Sequence, residues 1–271
     1  MSLLTRPTAG TDALVLRTWS CGETSVIASL LTRDLGFVKV LAKAARRPRS
    51  RLRALVEPGR LVNVEFSVDP QRELQYLRGG SVIMDPLGDG ATLERSAYLQ
   101  GALELVDRCR PASGGPGAGD AAFFAVCEEF VRVLSSPTCS AAATLFFALE
   151  WRLLDRHGTA PQVAACACCG VPQTGPAGGA RHFHPAEGGI VCGNCVGGGA
   201  ASGARTMGAE ALAVLQALAT GDLKAAAALD LPGHLRREVG GALHRFLGYY
   251  LPGYRLPAAL DLLRAGKERS E

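Results

Sequence analysis

Over the first eighty residues, apolar and polar positions alternate in short runs rich in Val, Leu, Ile, Thr and aromatic side chains. Such runs predict strands from Ala13 to Trp19, Thr24 to Leu31, Phe37 to Ala42, Leu61 to Val68 and Glu73 to Ile83. The alternation is clearest in Phe37-Val38-Lys39-Val40-Leu41 and in Leu61-Val62-Asn63-Val64-Glu65-Phe66, where every second side chain suits a core. Thr32-Arg33-Asp34-Leu35-Gly36 supplies a tight turn between the second and third runs. Five short strands with a longer connection after the third predict a small Greek-key barrel of the OB type.

Past Asp85-Pro86 the period lengthens. Leu99, Ala102, Leu103, Val106 and Cys109 recur at helical spacing. Pro111 to Gly119 reads as a linker. Asp120 is placed to cap a second helix carrying Phe123, Phe124, Cys127, Phe130, Val131 and Leu134. A third helix is expected from about Ser140 to His157, ending at Gly158. Two more follow, from about Gly208 to Ala219 and from about Leu235 to Tyr250. The glycine-rich stretch Gly197 to Gly203 reads as a flexible exit from a cysteine module that interrupts the helices. The fold class expected is a multi-domain α+β chain with four divisions. These are an OB-type barrel over 1–82, a first helical part over 83–164, a four-cysteine module over 165–204 and a second helical part over 205–271.

The cysteines are the most specific chemistry. Cys166 and Cys169 form one C-x₂-C, Cys192 and Cys195 another, with 22 residues between the pairs. A C-x₂-C turn sets two sulfurs about one tetrahedron edge apart, so two turns supply the four thiolates of a closed zinc site. A closed site leaves no position for water, so the metal is structural and the motif argues against a metalloenzyme. Cys168 is a poorer alternative ligand because its spacing to either neighbour is too short. A redox role for the pairs is a further alternative. His182 and His184 lie between the pairs and read as surface residues. Cys21, Cys109, Cys127 and Cys139 read as small apolar fillers.

Charge changes the picture more than composition does. Eight basic residues fall between Lys39 and Arg60 with only Glu57 opposing them. That local excess of +7 exceeds the +4 of the whole chain, so the remainder carries about −3. The run lies in the long connection of the barrel and points to a polyanion. Lys39, Lys43, Arg46, Arg47, Arg49, Arg51 and Arg53 are the expected nucleic-acid contacts, the arginines because their forked donors suit phosphate; an acidic protein or membrane surface and a merely solvated loop are the alternatives. The barrel has few aromatics (Trp19, Phe37, Phe66 and Tyr76), and several of them are expected in its core. Binding should therefore lean on phosphates more than on stacked bases. There is no P-loop, dinucleotide fingerprint or H-E-x-x-H motif. No apolar run of membrane-spanning length is free of charge, and Met1 to Asp12 has no apolar core of the signal-peptide type. A cytoplasmic, non-enzymatic protein is expected.

Taken in order, these pieces resemble the bacterial RecO family. The likeness is carried by Gly22-Glu23, Leu31-Thr32, Leu35-Gly36-Phe37 and the basic Ala44-Ala45-Arg46-Arg47-Pro48-Arg49-Ser50-Arg51-Leu52. It continues in Leu153-Leu154-Asp155-Arg156-His157-Gly158-Thr159-Ala160-Pro161 and Cys166-Ala167-Cys168-Cys169-Gly170. The resemblance implies an OB fold, a helical domain and a zinc module. It implies binding to single- and double-stranded DNA, annealing of complementary strands, and partnership with RecR and single-strand binding protein so that RecA loads onto coated DNA in repair. It also implies association with the nucleoid. An RNA-binding protein of translation or ribosome assembly, and a zinc-stabilised adaptor without a nucleic-acid role, are the alternative readings.

Overall fold

The computed structural model describes residues 8–69, 71–88, 90–110, 119–173, 180–198, 203–251, 253–261 and 263. The Gly/Pro linker expected from Pro111 lies outside the described residues up to 118, as do 199–202 of the expected flexible exit. The described chain condenses into two compact units. One holds the residues up to Pro137 and those from Pro257 onward; the other is Thr138–Leu256.

In the first unit the five alternating runs become five strands: β1 Thr8–Cys21, β2 Ser25–Thr32, β3 Gly36–Ala42, β4 Leu61–Ser67 and β5 Leu74–Met84. They close into a barrel in the order β1-β2-β3-β5-β4, with β4 returning to β1. All neighbours are antiparallel except β3 and β5, which run parallel. This is the expected OB-type barrel. The inward residues are those the alternation marked: Val38 and Val40, Val62, Val64 and Phe66, with Ala13, Val15, Ala28 and Leu30. Gly80 is a close-approach point where β5 pairs with β4 opposite Val64. A Cβ there would lie 2.1 Å from the Asn63 carbonyl oxygen, so only glycine fits.

The outer face of β1 to β3 is also apolar at one end, and two helices cover it. Helix α1, Leu93–Arg108, starts at Thr92, whose side chain accepts the Arg95 amide. Helix α2, Ala121–Ser135, starts at Asp120, whose carboxylate accepts the Phe123 amide at 2.9 Å, as the sequence predicts. Phe123 packs on Phe37, with ring centroids 6.2 Å apart. Outward-facing Leu14 and Leu31, which pair across β1 and β2, are buried at 1% exposure each. At the other end of α1, Asp107 accepts a hydrogen bond at 2.8 Å from buried Ser29 on β2, and Arg110 donates to both.

The second unit is built round α3, Ala142–Arg156, in which twelve of fifteen residues are buried. A helix apolar on all sides must be central. Its one buried carboxylate, Glu150, meets His244 Nε2 at 3.2 Å and the Tyr254 hydroxyl at 3.4 Å. After α3 the chain forms a small module of β6 Arg181–His184, β7 Gly189–Cys192, the short α4 Gly193–Gly197 and β8 Arg205–Met207, with the strands ordered β7-β6-β8. Helices α5 Ala209–Thr220, α6 Leu223–Ala228 and α7 Gly233–Tyr250 then pack against α3. The four-cysteine module is thus inserted between helices, as expected.

Candidate nucleic-acid interface and metal centre

The connection between β3 and β4 is a folded cap. Its amides reach back three residues in series: Arg47 to Ala44, Ser50 to Arg47, Arg53 to Ser50 and Val56 to Arg53, at 3.1 to 3.3 Å. The last two lead into a single 3-10 turn, Ala54–Val56. Ala45, Leu55 and Val56 are buried in the barrel core and Leu52 packs against it. Apolar side chains therefore plug the barrel while the cations interleaved with them point outward. Ala44 and Arg49 adopt left-handed backbone, at φ 57° and 64°, which turns the chain sharply enough to permit this.

Lys43, Arg46, Arg47, Arg49, Arg51 and Arg53 are all exposed, and among the described residues no carboxylate pairs with any of them. Lys43 Nζ stands 4.7 Å above the Tyr76 ring. Lys39 differs from the rest. It is half-buried on β3 and bonded to Glu73 Oε1, and the bond and charge of Lys39 hold the Glu73 carboxyl below its ordinary value. Arg60, the last cation of the run, is an architectural residue. It donates to Asp85 at 2.7 Å and to the Ala54 carbonyl at 3.1 Å, and pairs with Glu57 at 2.8 Å. The Arg60 bond also holds Asp85 below the usual carboxylate range.

The four aromatic rings of the barrel separate cleanly. Phe66 is in the core and Phe37 lies against α2. Trp19, at 40% exposure, and half-buried Tyr76 are on the outer wall. The expectation that several rings are core is not met. Of the four rings only Phe66 is in the core; Trp19 faces outward because a bulge between Val15 and Arg17 reverses the alternation of β1 midway.

In the second unit the two C-x₂-C turns meet. The first is the loop of a small hairpin closed by the bridge between Ala165 and Pro172, with Gly170 at φ 73°. The second joins the end of β7 to α4. Sγ of Cys166 lies 4.0 Å from Sγ of Cys195, Cys169 lies 3.8 Å from Cys192, and all four sulfurs fall within 4.8 Å of one another. A tetrahedron of sulfurs about 2.3 Å from a zinc ion has edges of about 3.8 Å. These distances are nearly twice a disulfide bond of about 2.05 Å, so a closed disulfide is not what the sulfurs form. The cluster fits zinc binding.

Backbone amides converge on one of the four sulfurs, that of Cys166. Burial opposes ionisation of Cys166, yet the amides of Cys192, Cys169 and Cys168 aimed at its sulfur outweigh this and bring it down to about 6. Hydrogen bonding to the sulfurs of Cys192 and Cys169 pushes Cys195 the other way. Four adjacent sulfurs cannot all ionise without a cation among them. Cys168 is not in the cluster. It is exposed, 3.6 Å from Glu187, and burial together with that carboxylate raises its thiol. His182 and His184 are half-buried strand residues of β6, also outside the cluster.

The chain matches the family descriptions "Recombination protein O N terminal" over residues 7–85 and "Recombination protein O C terminal" over residues 90–259. It is 30% identical over 254 residues to the DNA repair protein RecO of Streptomyces griseus, covering 89% of this chain and 93% of the relative. The DNA repair protein RecO of Symbiobacterium thermophilum is 30% identical over 236 residues, with 87% and 89% covered. That of an Anaeromyxobacter species is 33% identical over 253 residues, with 93% and 94% covered. A capped OB-type barrel, a helical unit with an inserted four-cysteine cluster, and matches over both halves lead to one assignment: the chain belongs to the RecO family of DNA repair proteins.

Proposed function

We propose that this chain is a non-enzymatic DNA-binding mediator of recombinational repair. It anneals complementary single strands and, with RecR, assists the loading of RecA onto DNA coated by single-strand binding protein. The observation that carries the reading is the barrel cap, where six exposed cations face outward and, among the described residues, no carboxylate pairs with them. Two strands repel through their phosphates. A cationic surface that neutralises both lowers that barrier, and base pairing supplies the driving force, so no catalytic residue is needed. Lys43, Arg46, Arg47, Arg49, Arg51 and Arg53 form the contact set, and Lys39 joins when its bond to Glu73 opens.

The division of labour follows the expected boundaries, with DNA held by 1–82 and partners met by the helical parts. Cys166, Cys169, Cys192 and Cys195 would hold one zinc ion, which would supply a structural cross-link. That cross-link would join the hairpin to the β7–α4 corner and keep the module folded. No described helix is long and apolar enough to cross a membrane. The proposed place of work is the cytoplasm, at the nucleoid.

The test is annealing of complementary oligonucleotides, with and without single-strand binding protein. Wild type should accelerate pairing in both cases, and Arg46→Gln/Arg47→Gln/Arg49→Gln should slow it. Equal rates with and without the wild-type protein would overturn the reading.

A further inference from the structure

On the outer wall of β1 to β3, Ser29 is bound by Asp107 and Arg110 from the end of α1. Beyond that point lies one cross-strand row. Trp19 on β1 pairs with Ile27 on β2, Ile27 with Leu41 on β3, and Leu41 with Tyr76 on β5. Residues directly opposed in a sheet share a face, and this face is the outer one because Ala28, Val40 and Leu77 beside them are core. The row is an apolar strip about 14 Å long, three strand spacings, with an aromatic ring at each end.

Cations frame it. The Arg17 guanidinium stands 5.6 Å from the Trp19 ring centre and Lys43 Nζ 4.7 Å from that of Tyr76. Lys43 is also the first residue of the cationic cap, so strip and cap are continuous. In this row Trp19 is 40% exposed and Ile27, Leu41 and Tyr76 are half-buried, and the bulge at Val15/Arg17 delivers outward a tryptophan that unbroken alternation would bury.

Resting on the proposed DNA-binding function, we infer that the Trp19–Ile27–Leu41–Tyr76 row is a base-stacking platform for single-stranded DNA. Single-strand selectivity thus resides on the barrel wall and is separate from the phosphate contacts of the cap. The occupant follows from the chemistry. An apolar strip ended by rings and bordered by cations matches unpaired bases carried on a phosphate backbone. A duplex offers its phosphates to the cap but keeps its base faces stacked inside. Each stacked base contributes sequence-tolerant affinity. The strip accounts for a short part of the roughly 4–16 nucleotides that an OB fold covers.

The test uses the full-length protein and its own fluorescence. The chain has two tryptophans, and Trp151 is 3% exposed inside α3, so quenching by added DNA reports Trp19. Oligothymidylate of about 15 nucleotides and a blunt duplex of matching length are titrated at several salt concentrations. Single strand should quench and duplex should not. Trp19→Ala and Tyr76→Ala should each weaken single-strand binding roughly 5- to 150-fold, leaving duplex affinity and both salt slopes unchanged. Trp19→Leu keeps apolar contact with Ile27 but cannot stack, so it should lose as much as Trp19→Ala while preserving the fold. Single-strand binding without quenching, or equal losses on both DNA forms, overturns the platform and leaves the cap as the DNA site. Failure of the wild type to bind either form overturns both.

Discussion

Replacing Arg46, Arg47 and Arg49 with glutamine removes three of the six exposed cations of the cap. If all six meet phosphates, log K against log salt should slope about −4.2 on single strands and about −5.4 on duplex. Three remaining cations give about −2.1 and about −2.7. Between 50 and 200 mM salt the wild type should therefore lose about 300-fold in single-strand affinity, and the triple variant only about 20-fold. Neither Arg46 nor Arg47 touches the core, while Arg49 sits at φ 64°, where glutamine is no more strained than arginine. The melting temperature should accordingly hold steady or rise as repulsion within the cap falls. Fluorescence anisotropy with labelled oligonucleotides at four or more salt concentrations gives both slopes. An unaltered slope in the triple variant would refute the cap as the main DNA contact, whatever happened to affinity at a single salt.

Other predictions concern single sites. Glu73→Gln should free Lys39 and steepen the single-strand slope by about 0.7, measured in the same titration. Because Lys39 holds the Glu73 carboxyl below its ordinary 4.5, the pair persists at neutral pH. It should open only as pH falls through that lowered value, seen by carboxyl NMR titration of wild type against Lys39→Met. Cys192→Ser should lower zinc content and melting temperature together by elemental analysis and calorimetry, with the loss concentrated in the module, since thiolate zinc contributes on the order of 10 kcal/mol in isolated fingers; a variant that retained zinc at full stability would contradict the site. Gly80→Ala should cost more than about 4 kcal/mol, because its Cβ would meet the Asn63 carbonyl at 2.1 Å. Gly170→Ala, at φ 73° with open space around it, should cost about 1–2 kcal/mol. Denaturant titration separates the two, and equal costs would contradict the packing argument.

Much of the barrel is legible from sequence because β3 and β4 are half-covered strands whose alternation survives intact. The four metal-site cysteines are legible because spacing alone constrains sulfur geometry. Strands β6 to β8 are not, being three or four residues long amid glycines, and α6 is six residues of mostly alanine with little pattern to read. The outward turn of Trp19 is hidden for a sharper reason. Ala13, Val15, Arg17 and Trp19 share one parity, so period two puts all four on the same face; the extra residue at the bulge splits them, and only strand pairing reveals it. The anchoring of the cap rests on Ala45, Leu52, Leu55 and Val56, four apolar residues scattered among eight cations with no period that marks them as core.

The interleaving of plug and charge in the cap constrains how this protein can vary. Its electrostatics can be tuned one side chain at a time, because each outward arginine is replaceable without opening the core. Its length cannot be altered so freely, because deleting or inserting a residue between Ala45 and Val56 would shift the plugging side chains out of register with the barrel mouth. Lineages that adapt DNA affinity to a saltier or less salty cytoplasm would therefore exchange Lys, Arg and Gln at fixed positions while conserving the spacing of the apolar residues among them.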